Sequence, residues 1–321
     1  MKTIGIEYTS PGEAELIELG PPPEPAPTQI LIETQFSGVT NGTERHSLMG
    51  EHGWSGVFPS RNGYQHVAVV RSVGADVAGF SVGDRVFFGQ YVGHRGWNVV
   101  DVATDGGRSL CVKLPADGDG SDYALLGVAG VAMRGVRRMR VGPGSRVWVA
   151  GLGPIGQFAA QSASVAGAHV TVTDPNPKRL AVAAETCADL VVDPRDQLVP
   201  EDIKAAGPFS HIIDCCGVPS LLTEIGAAGI IAHRGVVGLL AVRSDTTFPW
   251  GMMHGTEASI EVSCHFDCDD LRVLLQLMGQ GRVRTRPLVT HAVPIEDAVR
   301  IYEGLRDNPS GYLGIVFDWT G

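Results

Sequence analysis

The residues best suited to chemistry stand together at Gly151-Leu152-Gly153-Pro154-Ile155-Gly156, directly after the apolar run RVWVA. The stretch PIGQFAAQSASVAG that opens inside this motif has helical spacing. In a strand, turn and helix of this kind, Gly151 permits the tight turn, Gly153 lets backbone approach a diphosphate, and Gly156 allows close helix–strand packing. The helix that starts at Pro154 and Ile155 would aim its exposed amides at the anion. With 42 Gly in the chain such a spacing also arises by accident, so the order of elements carries the weight. A second strand, HVTVTD, ends in Asp174, 18 residues after Gly156. A carboxylate there accepts hydrogen bonds from the adenosine ribose and repels a 2′-phosphate, so NAD is expected rather than NADP. Asp174 could instead cap the helix that follows Pro175. Arg179 could reach the same ribose or phosphate, or lie on the exposed face of that helix; both readings stay open.

Other groups carry weaker signals. The six Cys, at 111, 187, 215, 216, 264 and 268, contain no CxxC, so buried or free thiols are expected and a disulfide framework is not. Cys264-His265 with Cys268 offers three soft ligands without a fourth. Trp54, His94, Trp97, Trp250, Met252 and His254 could line a pocket, although each is expected singly as packing. His66 reads as a surface or core histidine.

The elements that must hold these groups fall into two kinds. From Thr3 to about Val112 short strand patterns dominate (QILIETQFSGV, HVAVVRSVG, GDRVFFGQ), punctuated by Gly, Pro and Asp. PPPEPAP at 21 to 27 reads as a polyproline loop between strands. Near Asp122 the pattern changes to a helical YALLGVAGVAMRGVRRM, then to short apolar strands (RVWVAG, HVTVTD, DLVVD, HIIDCC, RGVVGLL) alternating with helices, SLLTEIGAAGIIA among them. Strands buried on both faces read as continuous apolar runs, so an α/β, doubly wound parallel sheet is expected here. The tail after Cys264 (DDLRVLLQLMGQG, PLVTHAV, IEDAVRIYEGLR, YLGIVFDW) is too short for a third core and is expected to return to the N-terminal domain.

Composition narrows the function. At 321 residues two cores are the natural expectation. Lys plus Arg number 25 against 35 Asp plus Glu, a net charge of -10 without a basic stripe, so nucleic acid is a poor partner. No apolar run approaches a membrane span, and MKTIGIEYTSPGEAELIEL alternates like a strand instead of resembling a signal sequence; a soluble, cytoplasmic protein is expected.

Taken together, GDRVFF, LLGVAGVA, GLGPIGQ, Asp174 with Arg179, IIDCCG, RGVVGLL, PIEDAVRIYEGL and LGIVFDW resemble the medium-chain dehydrogenase/reductase superfamily over nearly the whole chain. The resemblance implies a GroES-like β domain, 1–121 with 266–321, and a Rossmann domain, 122–265, acting as an oxidoreductase on a small-molecule substrate, usually as a homo-oligomer. It also implies that Cys215, Gly238, Leu239, Leu240 and Ser263 join Gly151, Gly153, Pro154, Ile155, Gly156, Asp174 and Arg179 around the cofactor. Ser263 to His265 would lie beside its nicotinamide end.

The family's zinc ligands are not matched. Its Cys-Gly-Thr-Asp-x-His pattern corresponds to Asn41-Gly42-Thr43-Glu44-Arg45-His46, its Gly-His-Glu to Gly63-Tyr64-Gln65, and its third ligand to Val128. Amide, phenol and isopropyl are poor zinc ligands, and the four-Cys structural lobe is missing, so a zinc-independent member is expected. Thr43 and His46 match the family's proton-relay positions, a hydroxyl passing its proton toward an imidazole. Alternatively Thr43 caps a helix with Glu44 in its first turn, and His46 is solvated. Tyr64 is the nearest phenol able to replace zinc as electrophile, or else a packed aromatic on a strand. The leading expectation is NAD-dependent hydride transfer with a secondary alcohol, polyol or sugar-like hydroxyl. The alternatives are an enone or quinone reductase and a non-catalytic NAD-binding sensor.

Overall fold

Strand alternation organises the first hundred residues, in a computed structural model that describes residues 1–51, 56–102, 110–195 and 197–321. Strands β1 (Ile4–Ser10) and β2 (Glu13–Glu18) form an antiparallel hairpin. Gly12 closes it with φ +83°, a left-handed conformation open to glycine at no steric cost. Next come β3 (Gln29–Gly38), α1 (Asn41–Met49), β4 (His66–Val73), β5 (Arg85–Phe88), β6 (Trp97–Asp101) and β7 (Cys111–Lys113). The middle of the chain holds α2 (Leu126–Arg138), β8 (Arg146–Ala150), α3 (Pro154–Val165), β9 (His169–Thr173), α4 (Pro177–Thr186), β10 (Leu190–Val192), α5 (Glu201–Ala206), β11 (Phe209–Asp214), α6 (Leu221–Ala228), β12 (Ile231–Leu239), α7 (Trp250–Thr256) and β13 (Ser259–Val262). The tail adds α8 (Cys268–Gly279), β14 (Val289–Pro294), α9 (Ala298–Asp307) and β15 (Gly314–Asp318).

The chain divides into two units. The first comprises 1–127, 267–275 and 285–321; the second comprises 128–266 and 276–284. In the first, a sheet runs β14-β15-β3-β4-β5-β7, with β6 paired to β3. The tail returns here as expected, since β15 pairs antiparallel with β3, Val316 opposite Gly38. One face of β3 buries Ile30 and Ile32 with Ala68, Val70, Val86 and Phe88. A separate core gathers Ile6, Tyr8, Leu48, Ile301, Tyr302, Leu305 and Phe317 around α1 and α9.

In the second unit six parallel strands lie in the order β10-β9-β8-β11-β12-β13. Counting from β8, that is the 3-2-1-4-5-6 order of a doubly wound dinucleotide fold. Segment 276–284 groups with this unit, where the Arg284 amide donates to Gln161 Oε1 (2.7 Å) and its guanidinium pairs with Glu185 (3.1 Å).

The elements differ from the sequence expectation in two respects. The helix expected through SLLTEIGAAGIIA stops at Ala228, because Gly229 turns left-handed (φ 65°) and returns its amide to Ile225 O; Ile231 already begins β12. Helices α5 and α7 and strands β6 and β13 had no distinct signal, being four to seven residues long. Among the described residues no helix is long and apolar enough to cross a membrane.

Candidate functional site

The second unit supplies a cavity of about 450 Å³ at the C-terminal ends of β8, β9 and β11, beside the point where strand order reverses. Gly151, Gly153, Asp174, Arg179, Cys215 and Cys216 are among its walls. Gly151 has φ +93° and donates its amide to Thr173 O (2.8 Å), and a Cβ there would press on Cys216. At Gly156 a Cβ would lie 1.9 Å from Gly151 O, so the third glycine is what lets α3 sit against the turn. Gly153 is the N-cap residue of α3, with Pro154 and Ile155 in the first turn and open space where its own Cβ would be.

Asp174 is not the cap of α4. Asn176 holds that place, its side chain accepting from the Lys178 amide. The Asp174 carboxylate is only 4% exposed and spans two elements: Oδ2 accepts from the Leu152 amide (2.7 Å) and Oδ1 from the Asn176 amide (2.8 Å). The Arg179 guanidinium stands 3.7 Å from Oδ2, and the Arg179 carbonyl accepts from Gln157 Nε2 (2.8 Å). The acid thus ties the glycine-rich turn to the start of α4, with the Arg179 guanidinium beside it.

Cys215 reaches the wall because its amide donates to Ala150 O (2.9 Å); burial, then the neighbouring Asp214 and Cys216, hold its thiol well above the ordinary range. Burial also pushes the Cys216 thiol up to about 12, so neither is a poised nucleophile. Arg195, Leu198 and Val218 are also among the cavity walls and have no sequence signal, since a wall made by residues after a strand has no local motif. Gly238, Leu239 and Leu240 are not among the walls of this cavity: Leu239 belongs to the apolar core, a Cβ on Gly238 would strike Met139, and Leu240 packs on Gly135 while its amide donates to Asp214 O (3.0 Å), beside Cys215. Ser263, after β13, has a buried hydroxyl with no hydrogen-bond partner.

The first unit carries the candidate catalytic residues. Thr43 and His46 lie on α1, headed by Thr40, so Thr43 is inside the first turn and does not cap it. His46 is partly exposed and its Nδ1 is 2.5 Å from Glu51 Oε2. Tyr64 is buried, its ring 4.6 Å from that of the exposed Tyr91 and its hydroxyl within hydrogen-bond reach of the Thr40 side chain. Burial, reinforced by Tyr91, raises the phenol well above its ordinary value, so Tyr64 keeps its proton and remains a donor. Asn41 donates Nδ2 to Leu313 O (2.9 Å), while its buried Oδ1 has no hydrogen-bond partner. Gln65 donates to Gly38 O (3.1 Å) and Thr40 Oγ1 (3.3 Å).

Several minor candidates resolve as packing. His66 is a core residue with Nε2 3.0 Å from Gly93 O, and burial pushes its pKa down to about 3. Trp97 donates to Gly20 O (3.1 Å), Met252 joins the core, and Trp250 is exposed and stacked on His254. His94 is buried in a polar cluster described below. Trp54 lies outside the described residues. Among the described residues no three His, Cys, Asp or Glu side chains gather as metal ligands, the Cys264, His265 and Cys268 run included.

Comparison with known proteins agrees with this geometry. Residues 26–152 match the alcohol dehydrogenase GroES-like domain and residues 154–280 match the zinc-binding dehydrogenase family. The chain is 30% identical to sorbitol dehydrogenase of Macaca fascicularis over 342 aligned positions, covering 94% of this chain and 92% of that protein. It is 26% identical to L-galactonate-5-dehydrogenase of Escherichia coli, covering 88% and 89%. The structure of 2R,3R-butanediol dehydrogenase from Bacillus subtilis shares the fold, with a TM-score of 0.80 at 21% identity over 99% of both chains. With its GroES-like unit, its 3-2-1-4-5-6 parallel sheet and its glycine-rich turn, the chain belongs to the medium-chain dehydrogenase/reductase superfamily and is an NAD(P)-dependent dehydrogenase/reductase of that family.

Proposed function

We propose that the protein transfers hydride between NAD and a secondary hydroxyl of a polyol or sugar-like small molecule, without zinc. The observation that carries the cofactor choice is Asp174, a buried carboxylate in the wall of the cavity beside the glycine-rich turn, where it meets a ribose with acceptors and a 2′-phosphate with like charge. Gly151, Gly153 and the first turn of α3 would hold the diphosphate. When bound, NAD supplies the hydride acceptor. The substrate class is supported by the sorbitol and L-galactonate dehydrogenases among the relatives.

The positions where relatives in this family carry zinc ligands do not fit the ion. Asn41 spends its amide nitrogen on a backbone carbonyl, Tyr64 is a buried phenol kept protonated, and Val128 is a buried isopropyl group. The chain's own donors therefore steady the developing alkoxide: Tyr64 and Thr43 hydrogen-bond the substrate oxygen, and His46, partly exposed beside Glu51, passes the proton to solvent.

The test is reduction of NAD or NADP, followed by absorbance, with a panel of polyols, sugar acids and simple secondary alcohols, on protein purified without added metal and assayed for zinc. Turnover with NAD, unaffected by chelator and with well below one zinc per chain, is expected. Stoichiometric zinc overturns the metal-free reading; NADPH binding at least as tightly as NADH overturns the role of Asp174; enone reduction without alcohol turnover moves the activity to the reductase branch.

A further inference from the structure

Five polar side chains from distant parts of the sequence meet in the core of the first unit: Ser37, Glu44, His94, Tyr302 and Trp319, none more than 4% exposed. Glu44 Oε1 accepts from the Thr40 amide (2.7 Å), and Oε2 accepts from Tyr302 Oη (2.6 Å) and lies 3.0 Å from His94 Nε2. On the far side of the ring, His94 Nδ1 is 2.8 Å from Ser37 Oγ, which accepts from Trp319 Nε1 (2.9 Å).

An indole N–H can only donate, so Ser37 accepts from Trp319, and its hydroxyl shares the hydrogen bond with His94 Nδ1. The ring donates from Nε2 to Glu44, an acceptor only. Both ring nitrogens and both carboxylate oxygens have partners, which a buried acid requires. Gly63, at φ +122°, makes the room: a Cβ there would lie 2.6 Å from His94 Cδ2.

The acid at the end of this chain belongs to α1, and the amide it accepts is that of Thr40 at the head of the helix. A nine-residue helix does not hold itself in water, so ties of this kind decide where it lies. Thr43 immediately precedes Glu44 in that first turn.

We propose that Glu44 and His94 are positioning residues: the chain Trp319–Ser37–His94–Glu44, joined by Tyr302, fixes the first turn of α1 and with it the place from which the Thr43 hydroxyl acts. The kinetic part of this inference rests on the function proposed above; the anchoring of α1 does not.

Two full-length variants separate position from bulk. His94→Leu removes the ring's hydrogen bonds at similar volume, whereas His94→Gln keeps an N–H directed at Glu44. Hydrogen–deuterium exchange over 41–49 is expected to quicken about tenfold in His94→Leu, with NADH affinity, read by fluorescence, close to wild type. The value of kcat is expected to fall about 10²-fold with little change in KM, the size of effect that a misplacement near 1 Å produces. His94→Gln should recover all but about fivefold of that loss, a rescue that a bulk packing role would not give. A folded His94→Leu with unchanged exchange over 41–49 overturns the anchoring, and faster exchange with wild-type kcat overturns the positioning role. If His94→Leu does not fold, Tyr302→Phe withdraws one donor from Glu44 and is expected to quicken exchange about threefold; no change there overturns the anchoring. If the wild type turns over no alcohol, the proposed function fails while the exchange measurements still decide the anchor.

Discussion

The two units build their polar centres from different materials. In the second, the cavity is shaped by main chain: a glycine turn, a helix start, and a carboxylate that binds two backbone amides within 24 residues of sequence, Leu152 to Asn176. In the first, the centre is made of side chains spread from Ser37 to Trp319 and held by one another in the core. A main-chain site is rigid as soon as its strands pair, and a Cβ in the wrong place blocks it. A side-chain centre depends on each hydrogen bond, because a buried polar group without its partner costs about 1–3 kcal/mol.

Breaking the main-chain site should have the largest effect. Gly156→Ala sets a Cβ against Gly151 O, a contact of 1.9 Å with backbone that cannot swing aside. A loss near 3 kcal/mol in urea unfolding, with NADH binding abolished, is expected. A variant as stable and as tight in NADH binding as wild type would mean the turn is not the rigid part.

Next in size is Tyr64→Phe, which keeps the packing against Tyr91 and removes only the hydroxyl. Losing one donor to a developing oxyanion lowers turnover on the order of 10²-fold. Unchanged turnover, with a deuterium isotope effect showing that hydride transfer is rate-limiting, would remove Tyr64 from the chemistry.

The side-chain unit should also be the more acid-sensitive. Burial holds His66 neutral with a pKa down to about 3, against 6.5 for an ordinary histidine. Its folded pKa is lowered, so the unfolded chain binds the extra proton between pH 6.5 and 3; stability is full above that window and falls as the pH drops through it. The slope is about 1.4 kcal/mol per pH unit, or about 2 kcal/mol by pH 5. Glu44 acts in the same sense lower down: burial alone would raise its pKa, but His94 and the donated hydrogen bonds hold it below the usual value, so its contribution is lost in stronger acid. Urea unfolding of wild type and His66→Gln from pH 7 to 5 should show the steeper slope in the wild type, the variant keeping the smaller slope that His211 and His291, also lowered by burial, contribute.

The smallest expected effect is Asp174→Ala, which should narrow or reverse the preference for NADH over NADPH by about tenfold, with some loss of stability from the freed Leu152 and Asn176 amides. Isothermal calorimetry with both cofactors measures it. A preference that persists undiminished would assign the discrimination to another group in the cavity wall.

The same contrast separates what could be read from the chain alone. The apolar strand RVWVA, the turn Gly151 to Gly156, the helix and Asp174 are local, because strand period, glycine conformation and helix start are properties of neighbouring residues. They sufficed for a doubly wound domain, while short strand patterns and a tail too short for a third core gave the expectation of a β domain completed by that tail, which the family resemblance shares. Tertiary structure alone decided that Asp174 binds the turn while Asn176 caps α4, that Arg195, Leu198 and Val218 are among the cavity walls, and that His94, a loop histidine without a pattern, sits beside Glu44 in the core. A hydrogen bond between residues 44 and 302 leaves no periodicity in either segment; it exists only once β3, α1 and α9 have packed, and the low dielectric of that core gives it its strength.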